Sequence, residues 1–147
     1  MFVSVKRKKR KPQKDDYKMI DWRQDILDTK RGRKWVHLAR PDLIKIVERY
    51  ALIFELVEAY SDDNGKPKQR RKYLASIREE YADKTAQFPY SECSVFWKSV
   101  TKKFNLLGLT DDEISKLSTS VEAYVSIPTT GELDAEKKRW FKVYFGS

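Results

Sequence analysis

The sequence predicts an all-α protein, a small helical bundle of five or six helices behind a basic N-terminal tail. Three observations carry that expectation. Gly and Pro number only five each in 147 residues, fewer turn residues than a sandwich or barrel needs. Apolar residues recur at three- and four-residue spacing through several long stretches, the signature of amphipathic helices. Thr110-Asp111-Asp112-Glu113 matches the capping box that opens a helix. A hydrophobic fraction of 40% with 13% aromatics suffices for one core in a chain of this length.

Charge divides the chain. Residues 1–14, MFVSVKRKKRKPQK, carry seven Lys or Arg and no acid, and the remainder carries 24 basic against 22 acidic side chains. Most of the net charge of +9 therefore belongs to the first 14 residues. Like charges in a short run repel one another, so residues 1–14 read as a basic flexible tail. Residues 15–147 read as a single helical domain with a long central helix over about 41–61.

The elements follow in order. Residues 15–35 read as a short amphipathic helix with Ile20, Trp22, Ile26 and Leu27 on its apolar side, and Gly32 within KRGRK is placed to stop it. RPDLIKIVERYALIFELVEAYSDDNG is the strongest helical stretch. Pro41 suits a first helical turn, Asp42 favours the positive end of the helix dipole, and SDDNG supplies turn chemistry. Its apolar residues surround more than one face, so its stripe Ile46, Tyr50, Ile53, Phe54 and Val57 is expected to join copies of the chain. KPKQRRKYLASIREEYADKTAQF reads as the next helix, lined by Tyr73, Leu74, Ile77 and Tyr81. Cations crowd its first turns against the dipole, which helix stability does not explain. A further helix begins near Ser91 with Phe96, Val100, Phe104 and Leu107 as its stripe, and Gly108 ends it. Another starts at Thr110 with Ile114, Leu117 and Val121 inward, and LDAEKKRWFKVYF closes the chain as a short helix or strand.

Composition excludes several chemistries. One cysteine, Cys93, rules out an internal disulfide, and one histidine, His37, rules out a zinc finger or a nuclease core built on several imidazoles. No Gly-rich phosphate cradle is present, and no Ser or Cys stands in a nucleophile's context. His37 is expected to pack beside Trp35, and Cys93 to be a small buried or half-buried side chain. The acids sit at caps, turns and solvent faces, so no catalytic residue, cofactor or metal site is expected. No apolar run approaches the ~20 residues that cross a bilayer, and the basic start leads into no apolar segment. The expectation is a cytoplasmic protein with no membrane partner.

Three basic clusters are the candidate binding residues. They are Lys6, Arg7, Lys8, Lys9, Arg10 and Lys11; Lys30, Arg31, Arg33 and Lys34; and Lys68, Arg70, Arg71 and Lys72. Each can neutralise phosphates and so bind a nucleic acid in a salt-dependent way. Trp140, Phe141 and Tyr144 in KKRWFKVYF are expected to cap the core.

NLLGLTDDEISKL, Asn105 to Leu117, raises a sharper question. Read as a helix-turn-helix, it lacks a recognition helix, since VEAYVSIP offers no Arg, Lys, Asn or Gln to read base edges. Leu107-Gly108-Leu109-Thr110, with Leu117 seven residues after the Thr, instead resembles the "LGLTP..R..L" ending of a family of phage small terminase subunits. Asp42, Leu43, Glu48, Tyr50, Ala51, Glu58 and Ala59 resemble the family's "DL..LE.YA....EA" helix. Asp111 stands where the family usually has Pro, and Ile114 where it has Arg. The resemblance covers about half of the chain. It implies a helical, non-catalytic protein of viral genome packaging that assembles as a ring, binds double-stranded DNA, and delivers it to the large terminase subunit in the host cell cytoplasm. The competing expectation is a helical nucleic-acid-binding or inhibitory subunit of a larger nucleoprotein complex, such as an RNA-guided defence system.

Overall fold

The computed structural model describes residues 1–20 and 23–146. Of these, 49% are helical and 26% are in strands, so the fold is α/β and the all-α expectation is corrected. In chain order the elements are β1 (Phe2–Lys9), β2 (Tyr17–Met19), α1 (Lys30–Ala39), β3 (Ile44–Ile46), β4 (Tyr50–Ser61), β5 (Pro67–Arg78), α2 (Glu79–Ala82), α3 (Pro89–Leu106), α4 (Asp111–Glu122) and α5 (Thr130–Phe145). Short 3-10 turns occupy Lys14–Asp16, Gln24–Asp28 and Pro41–Leu43. Strands β1, β4 and β5 form one antiparallel sheet in that order, and β2 pairs with β3 in a second. The chain divides into two compact units, Met1–Lys8 with Ala51–Ser147, and Lys9–Tyr50, where the sequence suggested one helical domain over 15–147.

The long central helix expected over 41–61 is instead a 3-10 turn, the short strand β3 and the long strand β4. YALIFELVEAYS is rich in β-branched and aromatic residues, and its apolar run satisfies a period of two as well as a helical period. With period two, Leu52, Phe54 and Leu56 fall on one face. Phe54 and Leu56 are buried there, and Leu52 packs against the same core. The turn after it settles the matter. Asp62 Oδ1 accepts the backbone N–H groups of Asn64 and Lys66, and Gly65 takes φ 75°, so the chain reverses into a hairpin. The next segment, expected as a helix, is therefore β5 followed by the single turn of α2. Its cations oppose no helix dipole.

The N-terminal run is also strand. In β1, Val3 and Val5 alternate with polar neighbours and pack against the core of the larger unit. That alternation, hidden among charges, replaces the expected flexible tail with an edge strand from Phe2 to Lys9.

Below the sheet of the larger unit lie α3 and α4, which the sequence places correctly, and α5, which is a 16-residue helix where a short helix or strand was expected. Helix α3 buries Cys93, Phe96, Trp97, Val100 and Phe104 against Phe54, Leu74, Ala75 and Ile77. Gly108 adopts φ 65° and ends α3. Thr110 then caps α4, its hydroxyl accepting the Glu113 N–H while Glu113 accepts the Thr110 N–H. Leu117 and Val121 are buried, and Ile114 packs at the edge of the same core. Thr129 and Glu132 repeat the capping box at the start of α5.

The smaller unit is organised by Asp16, which is buried. Its carboxylate accepts the Arg10 guanidinium at 2.8 Å and the Gln13 backbone N–H at 2.8 Å, and its carbonyl accepts Val47 N–H. The expected helix over residues 15–35 is instead β2, a 3-10 turn and the start of α1. Ile20 is exposed, Ile26 is half-buried and Leu27 is buried, while Trp22 lies outside the described residues. Gly32 is not a helix stop. It sits in the first turn of α1, capped by Thr29, where a Cβ would stand 1.8 Å from the Ile26 carbonyl oxygen.

Candidate nucleic-acid interface

Strand β5, PKQRRKYLASIR, carries five cations and no acid. Its pairing with β4 decides where they point, because residues directly opposite in an antiparallel pair share a face. Leu52 with Ile77 and Phe54 with Ala75 face the helices. A register shift between Phe54 and Glu55 leaves both Leu74 and Ala75 buried and pairs Glu55 with Tyr73. The other face of the sheet then receives Arg71, Tyr73, Ser76 and Arg78 from β5, which are exposed, and Ile53, Glu55 and Val57 from β4, of which Val57 is fully buried, so between these two strands the exposed part of this face is its β5 side.

Strand β1 completes this outer face. Lys6 Nζ lies 3.0 Å from Glu55 Oε1, which fixes Lys6, and by alternation Lys8, on the side away from Val3 and Val5. Glu55 is the one acid on this face among the described residues, and Lys6 neutralises it. What remains for a ligand is Lys8 on β1 and, strung along β5 on either side of Tyr73, Arg71 and Arg78; Tyr73 is 54% exposed and its hydroxyl donates to Ser76 Oγ at 3.0 Å. Among the described residues Lys8, Arg71 and Arg78 make no ion pair, so their charge is uncompensated. At the far end of the hairpin, Arg70 lies 4.2 Å over the Tyr60 ring and Lys68 lies 3.6 Å from Asp62. Lys72 shares the face of Leu56.

The structure thus brings together only part of the residues picked from the sequence. Lys6, Lys8 and Arg71 meet on one sheet face. Arg7 points to the opposite side and holds Glu79 through two hydrogen bonds, which keeps the Glu79 carboxyl below its ordinary range. Lys9 binds Glu48, and Arg10 is held by buried Asp16. Lys11 is exposed and follows the strand. In the smaller unit Arg33 is structural, donating to the Leu27 carbonyl at 2.7 Å and lying over the Tyr17 ring. Lys30, Arg31 and Lys34 are exposed on α1, and the first two stand at its positive end, where helix stability does not explain them. Tyr73 and Arg78 were missed; the signal was the alternation Arg71, Tyr73, then Ser76, Arg78, interrupted by the bulge.

The expected interface between copies is redistributed. Phe54 and Val57 are fully buried within the chain, Tyr50 and Ile53 are half-buried on β4, and Ile46 lies on β3. A strand cannot present these five as one stripe. The C-terminal aromatics also depart from their expected core role, with Trp140 43%, Phe141 58% and Tyr144 62% exposed. They stack on one another instead, Trp140 with Tyr144 at 5.1 Å between centroids. Cys93 is buried as expected, and burial pushes its thiol pKa up, which disfavours the nucleophilic thiolate. Among the described residues no three His, Cys, Asp or Glu side chains gather where they could hold a metal ion, and no helix is long and apolar enough to cross a membrane. No family model matches the chain, and neither curated proteins nor solved structures show significant similarity to it.

Proposed function

We propose that this chain is a non-catalytic nucleic-acid-binding protein that grips DNA phosphates on the outer face of its three-stranded sheet. The observation that carries the reading is that Lys8, Arg71 and Arg78, none of them in an ion pair among the described residues, share one sheet face with exposed Tyr73. Cations on the edge strands β1 and β5 also deter pairing with other chains. That role needs charge at the edges, yet it does not call for an aromatic ring among the cations on a face that carries one, already neutralised acid. Binding of this kind is dominated by counterion release and discriminates little between sequences.

Within this class, a small terminase subunit that binds double-stranded DNA as a homo-oligomeric ring and meets a large subunit is the narrower proposal. Its support is the Leu107–Thr110 joint that carries the resemblance, where Gly108 ends one helix and Thr110 caps the next. The other half of the resemblance, Asp42 to Ala59, lies largely in β3 and β4 and lends no helix to it. Native mass spectrometry tests the narrower proposal: a single closed assembly of many copies supports it, and a monomer removes it.

The broader reading is tested by fluorescence anisotropy with a labelled 30-base-pair duplex at low ionic strength. Reversing Arg71 and Arg78 to Glu is expected to weaken binding by about tenfold or more. Reversing Lys30, Arg31 and Lys34 on α1 instead serves as the comparison. If that triple reversal removes binding and the β5 pair does not, the sheet-face reading is wrong.

A further inference from the structure

The helical side of the larger unit carries an open groove of about 640 Å³ that the nucleic-acid reading does not use. One wall is the solvent-facing stripe of α3, Ser94, Lys98, Thr101, Lys102 and Asn105, ending at Leu106. The other is the connector between α4 and α5, which presents Ile127 and Pro128. Trp97 forms part of the lining, Leu106 is 73% exposed and Ile127 is 50% exposed. These two aliphatic side chains face solvent although the core of the unit lies one helix face away.

The connector wall is held in place before any ligand arrives. The Trp97 indole N–H donates to the carbonyls of Val125 at 3.1 Å and Ser126 at 3.2 Å. Val125 is fully buried, and Thr129 is tied into the capping box of α5. Between them, Pro128 restricts Ile127 to extended backbone. A groove with fixed walls loses little entropy on binding, so its shape and charge select the occupant.

Both point one way. From Ser94 to Leu106 the groove runs along 12 helical steps, about 18 Å, which is roughly three turns of a second helix. It is long and open, where a small-molecule site would enclose its ligand. Its charge is Lys98 and Lys102, one turn apart, with no acid in the lining and no ion pair to either among the described residues. Two cations beside an aliphatic floor are too few for a nucleic-acid track and suit a carboxylate-bearing apolar helix. Another copy of this chain would have to bring its own acids to the same place; the exposed apolar end of α5 brings Lys137, Lys138, Arg139 and Lys142, and the acidic helix α4 already buries its Leu117 and Val121 within the chain. We propose that the α3 groove docks an acidic amphipathic helix of a partner protein, with leucine-like side chains on Leu106 and Ile127 and carboxylates on Lys98 and Lys102.

The test uses the full chain and a synthetic 14-residue stapled helix with leucines on one side and glutamates flanking them, labelled with fluorescein. The groove is expected to bind this probe, and amide shifts on titration should map to Lys98, Thr101, Asn105 and Ile127. Leu106→Ser, at an exposed position that does not endanger folding, should weaken binding by about tenfold. Lys98→Glu with Lys102→Glu should do the same, and that variant should regain affinity for a probe whose glutamates are replaced by lysines. An excess of duplex DNA should leave probe binding unchanged. Three results would each overturn the proposal: no binding at millimolar probe, binding indifferent to both variants, or displacement of the probe by DNA. Self-association that Leu106→Ser abolishes would also overturn it in favour of a second copy. Apart from the DNA competition, none of these readouts depends on whether the sheet face binds DNA.

Discussion

Glu136, in the middle of α5, accepts the hydroxyl of Ser91 at 2.6 Å and is buried. The same carboxylate accepts the backbone N–H groups of Tyr90 at 2.7 Å and Ser91 at 2.9 Å, two of the donors left open at the start of α3. A negative charge at the positive end of a helix is favourable, and here it also ties α5 to α3. Glu136→Ala is expected to cost about 2–3 kcal/mol, because it removes three hydrogen bonds to a buried carboxylate at once, while Ser91→Ala costs about 1 kcal/mol. Urea denaturation measures both. Equal, negligible losses would mean that water replaces the carboxylate without cost.

Trp97→Phe keeps the ring in the core and removes only the indole N–H. Two carbonyls, Val125 and Ser126, lose their donor, for an expected loss of about 1–2 kcal/mol. Hydrogen exchange should show the loss concentrated in the connector, with faster exchange at Ser126 and Ile127 than at α3. A loss spread evenly through the unit would argue against the pinning role.

Gly32→Ala carries a sign opposite to the usual one. Alanine in place of glycine inside a helix ordinarily gains up to about 1 kcal/mol. At Gly32 the added Cβ would meet the Ile26 carbonyl oxygen at 1.8 Å, so the start of α1 must shift away from the preceding turn. A net loss of about 1–3 kcal/mol is expected, read as lower exchange protection of the α1 amides. A stabilised α1 would show that the close approach is relieved at little cost.

Arg7 and Glu79 predict a pH dependence. The pair lowers the Glu79 pKa from its ordinary 4.5, chiefly through the hydrogen bonds from the guanidinium. The folded value lies below the unfolded one, so the pair's contribution is complete above pH 4.5 and is lost as pH falls through the folded value. Both side chains are partly exposed, which limits the effect to about 1 kcal/mol. Wild type should exceed Arg7→Gln in stability near neutral pH, and the gap should close as pH falls below 4.5 through the folded value. A gap that persists in acid would assign the difference to packing of the arginine stem.

Legibility in the sequence followed the kind of pattern involved. The second half was readable because local rules agree there: Gly108 and Thr110 mark a helix end and a helix start by short-range chemistry, and Phe96, Val100 and Phe104 keep one period. The first half was misread because YALIFELVEAYS is apolar on both sides of a central strand, a run that fits either period. Its arbiter was the Asp62–Gly65 turn, which fits a hairpin as well as a helix stop. In β1 the two valines were outweighed by the cations around them, and only sheet pairing with β4 gives them a core to enter. The candidate site was legible as composition and illegible as geometry. Arg10 and Arg33 look like Lys8 and Arg71 in sequence, and only the fold shows that the first two serve Asp16 and the Leu27 carbonyl.

The central claim is that Lys8, Arg71 and Arg78 hold phosphates, and the dependence of duplex binding on salt tests it most directly. Affinity should fall linearly on a double-logarithmic plot, and replacing the three by alanine should reduce the slope by about 2–3, close to one per lost contact, with the circular dichroism spectrum unchanged. A folded triple variant that keeps the wild-type slope, or a wild-type protein that ignores DNA in dilute buffer, would contradict the account.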